Sequence, residues 1–359
     1  METLAFFRGC LSECLAQHSA CSLAVFTAQQ AWYPTRLIHV QQHKVRLVET
    51  SQGDLFGPYA TLSHCWGGAE ILKLEKQTLS MFKDGIPLPQ LPKTFQDAIQ
   101  VARCLEVSYI WIDSLCIIQD SDEDWQREAG TMADVYRRAL CNLAATRAVN
   151  SFGGLFTDRN PALLSSNVVD IDNGALQGRF RLIDEEYFVQ EIDDAQLNRR
   201  AWVAQERMLS PRIIHFASDQ VFWDCAHLTA CESLPRGTSV WLTSSRTQMR
   251  MGCKQGSHFL TASDSLDQGL GQWARIVNAY SACSLTQIGD KLIAVAGLAE
   301  HMRGEMGIEY CAGLWRSRME IQLAWFVKDV QPGANARNEL APSWSWVSIN
   351  GAVDMQQVD

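Results

Sequence analysis

The chain has 359 residues, a formal charge of −9, 47% hydrophobic and 20% charged residues, and twelve tryptophans. It exceeds the usual domain of roughly 100 to 200 residues, so one large domain or a core with an extension is expected, and a disordered or collagen-like chain is excluded. The acidic balance without a long Lys/Arg run argues against a nucleic-acid partner. No apolar run reaches the roughly 18 residues of a membrane span, and the start (METLAFFRGCLSEC) has no basic region followed by a clean apolar core, so a cytoplasmic protein without a membrane span is expected.

Residues 1–56 read as a lead-in element, apolar and cysteine-rich to Phe26, then carrying a strand pair at 35–40 and 44–48. YATLS (59–63) is a short strand, broken by Gly67 and Gly68. After Leu91, residues Phe95, Ala98, Ile99, Ala102 and Leu105 recur at helical spacing, with Thr94 and Asp97 placed as a capping box. VSYIWID (107–113) is a continuous apolar run, as in a strand covered on both faces, and it ends on Asp113. Residues 121–139 form a second amphipathic helix through Trp125, Ala129, Met132, Tyr136 and Ala139, followed by a strand at 140–145. This alternation predicts an α/β fold, a parallel sheet flanked by helices.

Residues 146–198, with strands near 167–171 and 179–183, read as an insertion into a core spanning 57–225. The core closes with a helix over 199–209, ended before Pro211, and strands at 212–216 and 220–224. An α+β C-terminal extension (226–359) follows: a polar loop to about Gly271, helices near 273–280 and 290–302, and a strand-like PSWSWV at 342–347. The twelve cysteines are scattered, several in apolar runs (Cys104, Cys116, Cys141), and read as reduced buried thiols. Cys10 with Cys14, and Cys225 with His227 and Cys231, lack the paired short spacings of a zinc site, so no metal is expected.

In an open parallel sheet the ligand crevice lies beyond the carboxyl ends of the strands. Ser63–Gly68 and Asp113 both fall there. Ser63 and His64 can donate and accept, Trp66 offers a flat face, and Gly67 lets backbone approach a ligand, although a turn with a packed Trp is the commoner use of such a run. Asp113 could orient a hydroxyl, and capping is the commoner role for an Asp after a strand. Cys116, among apolar neighbours, reads as a buried thiol rather than a nucleophile. Trp202 and Glu206, four apart, share a helix face, where a carboxyl beside an aromatic ring can have a raised pKa, although a Glu paired with Arg207 or Arg200 on a solvated face is the commoner arrangement. Walker, GxGxxG, GxSxG and HExxH motifs are absent from the sequence.

Taken together, YATLSHCWGG (59–68), LPKTFQDAIQVARCLEVSYIWIDSLCIIQDSDEDWQREAGTMADVYRRA (91–139), GGLF near 153, RRAWVAQERMLSPRIIHF (199–216), DKLIAVAGLA (290–299), AGLW (312–315) and APSWSWVSING (341–351) resemble a fungal heterokaryon incompatibility (HET) domain protein. The resemblance implies a role in non-self recognition and programmed cell death, exercised through self-association or another incompatibility protein. HET domains are also similar to TIR domains, flavodoxin-like modules some of which hydrolyse NAD. On that resemblance YATLSHCWG matches the first TIR strand and loop, YIWID the second strand, and WVAQE the TIR Trp-Cys-x-x-Glu pattern, which implies Glu206 as the catalytic residue. Ser63, His64, Trp66, Gly67, Asp113 and Trp202 would then bind NAD or a related nucleotide as substrate, with no cofactor. The alternative implied role is a non-enzymatic death or signalling module. The insertion before the Glu206 helix departs from a compact TIR domain.

Overall fold

The computed structural model describes residues 2–18, 21, 32–40, 44–52, 55–68, 70–164, 167–182, 184, 186–237, 266–328 and 337–356. In chain order the strands used below are β1 (Arg36–His39), β2 (Arg46–Glu49), β3 (Tyr59–Ser63), β4 (Tyr109–Trp111), β5 (Cys141–Ala144), β6 (Asn167–Asp172), β7 (Gln177–Leu182), β8 (Arg212–Phe216), β9 (Val221–Cys225) and β10 (Thr229–Cys231). The helices are α1 (Glu2–Gln17), α2 (Leu79–Asp84), α3 (Lys93–Cys104), α4 (Asp113–Cys116), α5 (Asp122–Arg138), α6 (Ala201–Leu209), α7 (Leu266–Ser281) and α8 (Ile293–Met306).

The alternating stretch folds as an α/β core. Strands β8, β5, β3 and β4 lie side by side and parallel, and all five residues of β3 and of β8 are buried, as in strands covered on both faces. The whole eight-stranded sheet, in order β10–β9–β8–β5–β3–β4–β1–β2, is mixed rather than wholly parallel. Its edges are antiparallel because β1–β2, β8–β9 and β9–β10 are joined by connections too short for a crossover. The strand pair expected in the lead-in segment is therefore one edge of the central sheet. Hairpin β6–β7 pairs only with itself, inside the stretch read as an insertion.

Helix α3 starts two residues earlier than expected, after Pro92, so Thr94 is not its cap. Thr94 and Asp97 are buried and reach sideways instead: Thr94 Oγ1 accepts from Gly154 N at 3.0 Å and Asp97 Oδ2 from Leu155 N at 2.9 Å. The pair pins the GGLF turn to the helix. Helix α5 is capped by Ser121, carries Asp122, Glu123 and Asp124 in its first turn, and ends on Arg137 and Arg138, which matches both ends of its dipole.

A second core joins α7, α8 and the end of the chain, with Trp273, Trp315 and Trp346 fully buried beside Ala201, Met208 and Leu209 of α6. The PSWSWV stretch is not a strand there. Ser345 Oγ accepts from Val347 N at 3.0 Å and starts a short 3-10 turn at Trp346–Ser348, while Trp346 Nε1 donates to Gly313 O at 2.8 Å. The alternation of Ser and Trp comes from a capped turn with one buried ring, Trp344 remaining 40% exposed. Most of the polar stretch expected before Gly271 lies outside the described residues. No helix among the described residues is long and apolar enough to cross a membrane.

Candidate active site

The chain leaves β3 towards β4 and then returns past it to β5, so β3 stands where the strand order reverses. A crevice opens beyond its carboxyl end for that topological reason. Ser63 ends β3, Asp113 follows β4, and α6 enters from the side with Glu206. The crevice holds a cavity of about 230 Å³. Trp66, Trp125, Tyr136 and Trp202 form apolar walls, and Glu206, Asp113, Asp290 and Arg200 are the charged groups.

Glu206 is 7% exposed, and Ser63 Oγ donates to its Oε2 in a very short hydrogen bond. The donor is oriented from behind. Thr61 Oγ1 donates to Asn142 Oδ1 at 3.0 Å, and Asn142 Nδ2 donates to Ser63 Oγ at 2.8 Å. Three buried side chains thus pass donors in one direction, and the last proton points at the carboxyl. The Tyr136 hydroxyl, which donates to the Leu62 carbonyl at 3.5 Å, lies near the same carboxyl and favours its ionised form. Burial pushes the Glu206 carboxyl up from 4.5 to about 7, opposed by the Ser63 bond and the Arg200 charge and assisted by Asp113.

Successive residues of β3 face opposite sides of the sheet. Ser63 therefore meets Glu206 and α6, whereas His64 sits edge-on to Phe95 of α3 at 4.9 Å. The His64 ring stacks with Trp66 at 6.3 Å and 12°, its Nδ1 lies 3.8 Å from Asp113 Oδ1, and Nε2 has no hydrogen-bond partner among the described residues. Burial lowers its pKa, so it is neutral at pH 7. Arg200 Nη1 donates to the His64 carbonyl. With its proton committed to Glu206 and no imidazole beside it, Ser63 is not arranged as a nucleophile with a base.

Asp113 opens α4 but does not cap it from the preceding position. Its Oδ2 accepts from Trp66 Nε1 at 2.9 Å and its Oδ1 from Ser114 N at 2.6 Å, so it fixes the Trp66 ring. Trp202 is fixed similarly, its Nε1 donating to Asp290 Oδ2 at 3.2 Å, and it meets Trp125 edge-on at 6.4 Å. Gly67 stands apart from the cavity. At φ 70° its backbone lies against the 149–150 turn, where a Cβ would fall 2.2 Å from Asn150 Cβ. Cys116 is fully buried, with its thiol pushed up to about 12 by burial, which rules out a thiolate nucleophile at neutral pH.

Six of the seven residues singled out in the sequence thus gather around one cavity or the carboxyl at its edge. Residues 59–206 match the family model described as heterokaryon incompatibility protein (HET). The chain carries a HET domain. No curated protein and no solved structure matches the chain. The HET match ends on Glu206, so the domain spans the β3 loop, Asp113, Tyr136 and the carboxyl of this site. It points to a role in heterokaryon incompatibility. Asp290 and the 284–286 segment, which close the cavity, lie beyond the matched residues. Tyr136 and Arg200 belong to the site but were read as a helix face and a helix start. Their one sequence signal is that each is a polar group on an element otherwise committed to packing.

Proposed function

We propose that the HET domain takes part in programmed cell death on non-self recognition by hydrolysing NAD, as TIR-like modules do, with Glu206 as the catalytic residue. The observation that carries this reading is a buried carboxyl with a pKa of about 7, held by Ser63 at the edge of a crevice beyond parallel strands. The cavity of about 230 Å³ is below the roughly 300–1,000 Å³ of whole-ligand pockets, so it suits the nicotinamide riboside end and leaves the diphosphate outside. Three acids against one arginine favour the cationic nicotinamide ring over the phosphates, and Trp66 and Trp202 offer it flat faces.

In the reaction the bond between ribose C1′ and the nicotinamide nitrogen breaks, and its electron pair neutralises the ring. Water then adds to C1′ and loses a proton, giving ADP-ribose and nicotinamide. A carboxylate facing the sugar stabilises the oxocarbenium-like charge and holds the ribose hydroxyls. The ionised form does this work, so activity rises with pH through about 7. Purified protein incubated with NAD should release nicotinamide, and the Glu206→Gln variant should lose at least about 100-fold of that rate. A wild-type protein that stays inert, even when clustered, with Glu206→Gln still toxic on expression, would instead establish a non-enzymatic module acting by self-association or through another incompatibility protein.

A further inference from the structure

Far from this crevice, the end of α1 meets the end of β9. Cys14 lies in the last turn of α1, His18 follows one turn later with its N–H on the Cys14 carbonyl at 3.2 Å, and Cys21 comes three residues on. Cys225, the last residue of β9, completes the group. All four are buried, and one ligand atom from each lies within 4.8 Å of the others. We propose that Cys14, His18, Cys21 and Cys225 form a structural zinc site that fastens the N-terminal helix to the edge of the central sheet.

Four soft or borderline donors converging from separate elements fit tetrahedral zinc, whose bonds of about 2.0–2.3 Å place neighbouring ligand atoms just under 4 Å apart. His18 Nδ1 is already 3.5 Å from Cys225 Sγ. The Cys-x3-His-x2-Cys run sets three donors at the short separations usual among zinc ligands, and a distant fourth ligand is what makes such a site tie two elements together.

The surroundings support the charge. Arg212 on β8 is fully buried, and no carboxylate lies within ion-pairing distance of it among the described residues. Its Nε donates to Cys14 Sγ at 3.2 Å, while Nη1 and Nη2 donate to the carbonyls of Leu140 and Cys21 at 3.1 and 2.7 Å. A buried guanidinium beside neutral thiols would be an uncompensated charge, which is expensive. Three thiolates and one divalent cation leave a single negative charge, and Arg212 neutralises it. Leu228 N also donates to Cys225 Sγ at 3.3 Å, and the His227 ring packs on His18 at 4.3 Å, the outer support that orients metal ligands. A disulfide is a poorer account, because pairing two of the three thiols leaves the third and the histidine beside an unanswered arginine.

The full-length chain, purified under reducing conditions from zinc-supplemented cells, should contain about one zinc per chain by elemental mass spectrometry. Zinc should fall below about a tenth of that in Cys21→Ser and Cys225→Ser and stay unchanged in Cys104→Ser, a cysteine outside the cluster. A readout that needs no variant is cobalt. Exchanged into the wild-type chain, it should show the strong d–d bands of a tetrahedral site and thiolate-to-metal charge transfer, and in His18→Cys the charge-transfer absorbance should grow with the added thiolate. A chain that binds neither zinc nor cobalt when reduced, or a native disulfide within Cys14, Cys21 and Cys225, overturns the assignment.

Discussion

Glu206→Gln separates the energetic role of the carboxyl from its chemical one. The folded protein holds the Glu206 proton more tightly than the unfolded chain, with a pKa of about 7 against 4.5. The stabilising contribution of this group is therefore complete below pH 4.5 and is lost as pH rises to about 7. At about 1.4 kcal/mol per unit, ionising Glu206 in place costs the fold about 3 kcal/mol above that window. Glutamine removes this cost and keeps a carbonyl oxygen for Ser63. Its amide hydrogens replace an acceptor facing Tyr136, a mismatch of about 1–2 kcal/mol.

The variant should then be about 1–2 kcal/mol more stable than wild type at pH 8, which at this chain length is a rise in Tm of about 1–3 °C. Below pH 4.5 the order should reverse, because the native carboxyl is protonated and only the mismatch remains. Thermal and urea unfolding of both proteins across this pH range reads the effect directly. Parallel stability curves, or a Gln variant weaker at both ends, would refute the argument that Glu206 is a desolvated carboxyl with a raised pKa. A stabilised variant with lost nicotinamide release would be the signature of a site kept strained for function.

Ser63→Ala removes the donor that opposes the Glu206 shift and leaves Asn142 Nδ2 without its acceptor; the pH–rate profile should move up by about one unit and stability fall by about 1–2 kcal/mol. Gly154→Ala forces a Cβ to 2.8 Å from Asp97 Oδ2 at φ 70°, and urea unfolding should show a loss of about 2 kcal/mol. Arg36→Met removes the buried guanidinium that pairs with Asp124 and Glu128 and leaves only the half-exposed Arg127 to answer them, so urea unfolding should show a loss of about 3 kcal/mol.

The readable parts of the sequence were those whose pattern is local. YIWI (109–112) is apolar without a break because the strand is covered on both faces, and the 121–139 helix shows its period, its cap and its charged ends in one stretch. The misreadings came where a local pattern had a distant cause. Thr94 and Asp97 have capping-box spacing but serve the 154–155 backbone, and the Ser-Trp alternation at 343–346 serves a turn against Gly313. The candidate site was legible as far as its residues stood at strand ends or repeated a family pattern. Asp290 and the order of donors from Thr61 to Glu206 arise only from chain reversal, which no spacing records. The cysteine cluster escaped for the same reason, its fourth member lying far along the chain.

What raises the Glu206 pKa is mainly desolvation, and α6 shows how the fold supplies it. Along this nine-residue helix, Glu206 faces the end of the sheet while Ala201, Met208 and Leu209 enter the second core. Gln205 Oε1 accepts from Gly297 N of α8 at 3.1 Å, and a Cβ at Gly297 would fall 2.4 Å from Ala133 Cβ and 2.5 Å from that same oxygen. Helices α5, α6 and α8 therefore approach each other as closely as a glycine allows. The domain match stops at residue 206, yet Leu285, Thr286 and Asp290 beyond it line the same cavity as Glu206. The C-terminal segment thus has a reason to accompany the HET core: it packs on the helix that carries Glu206 and closes the cavity beside it.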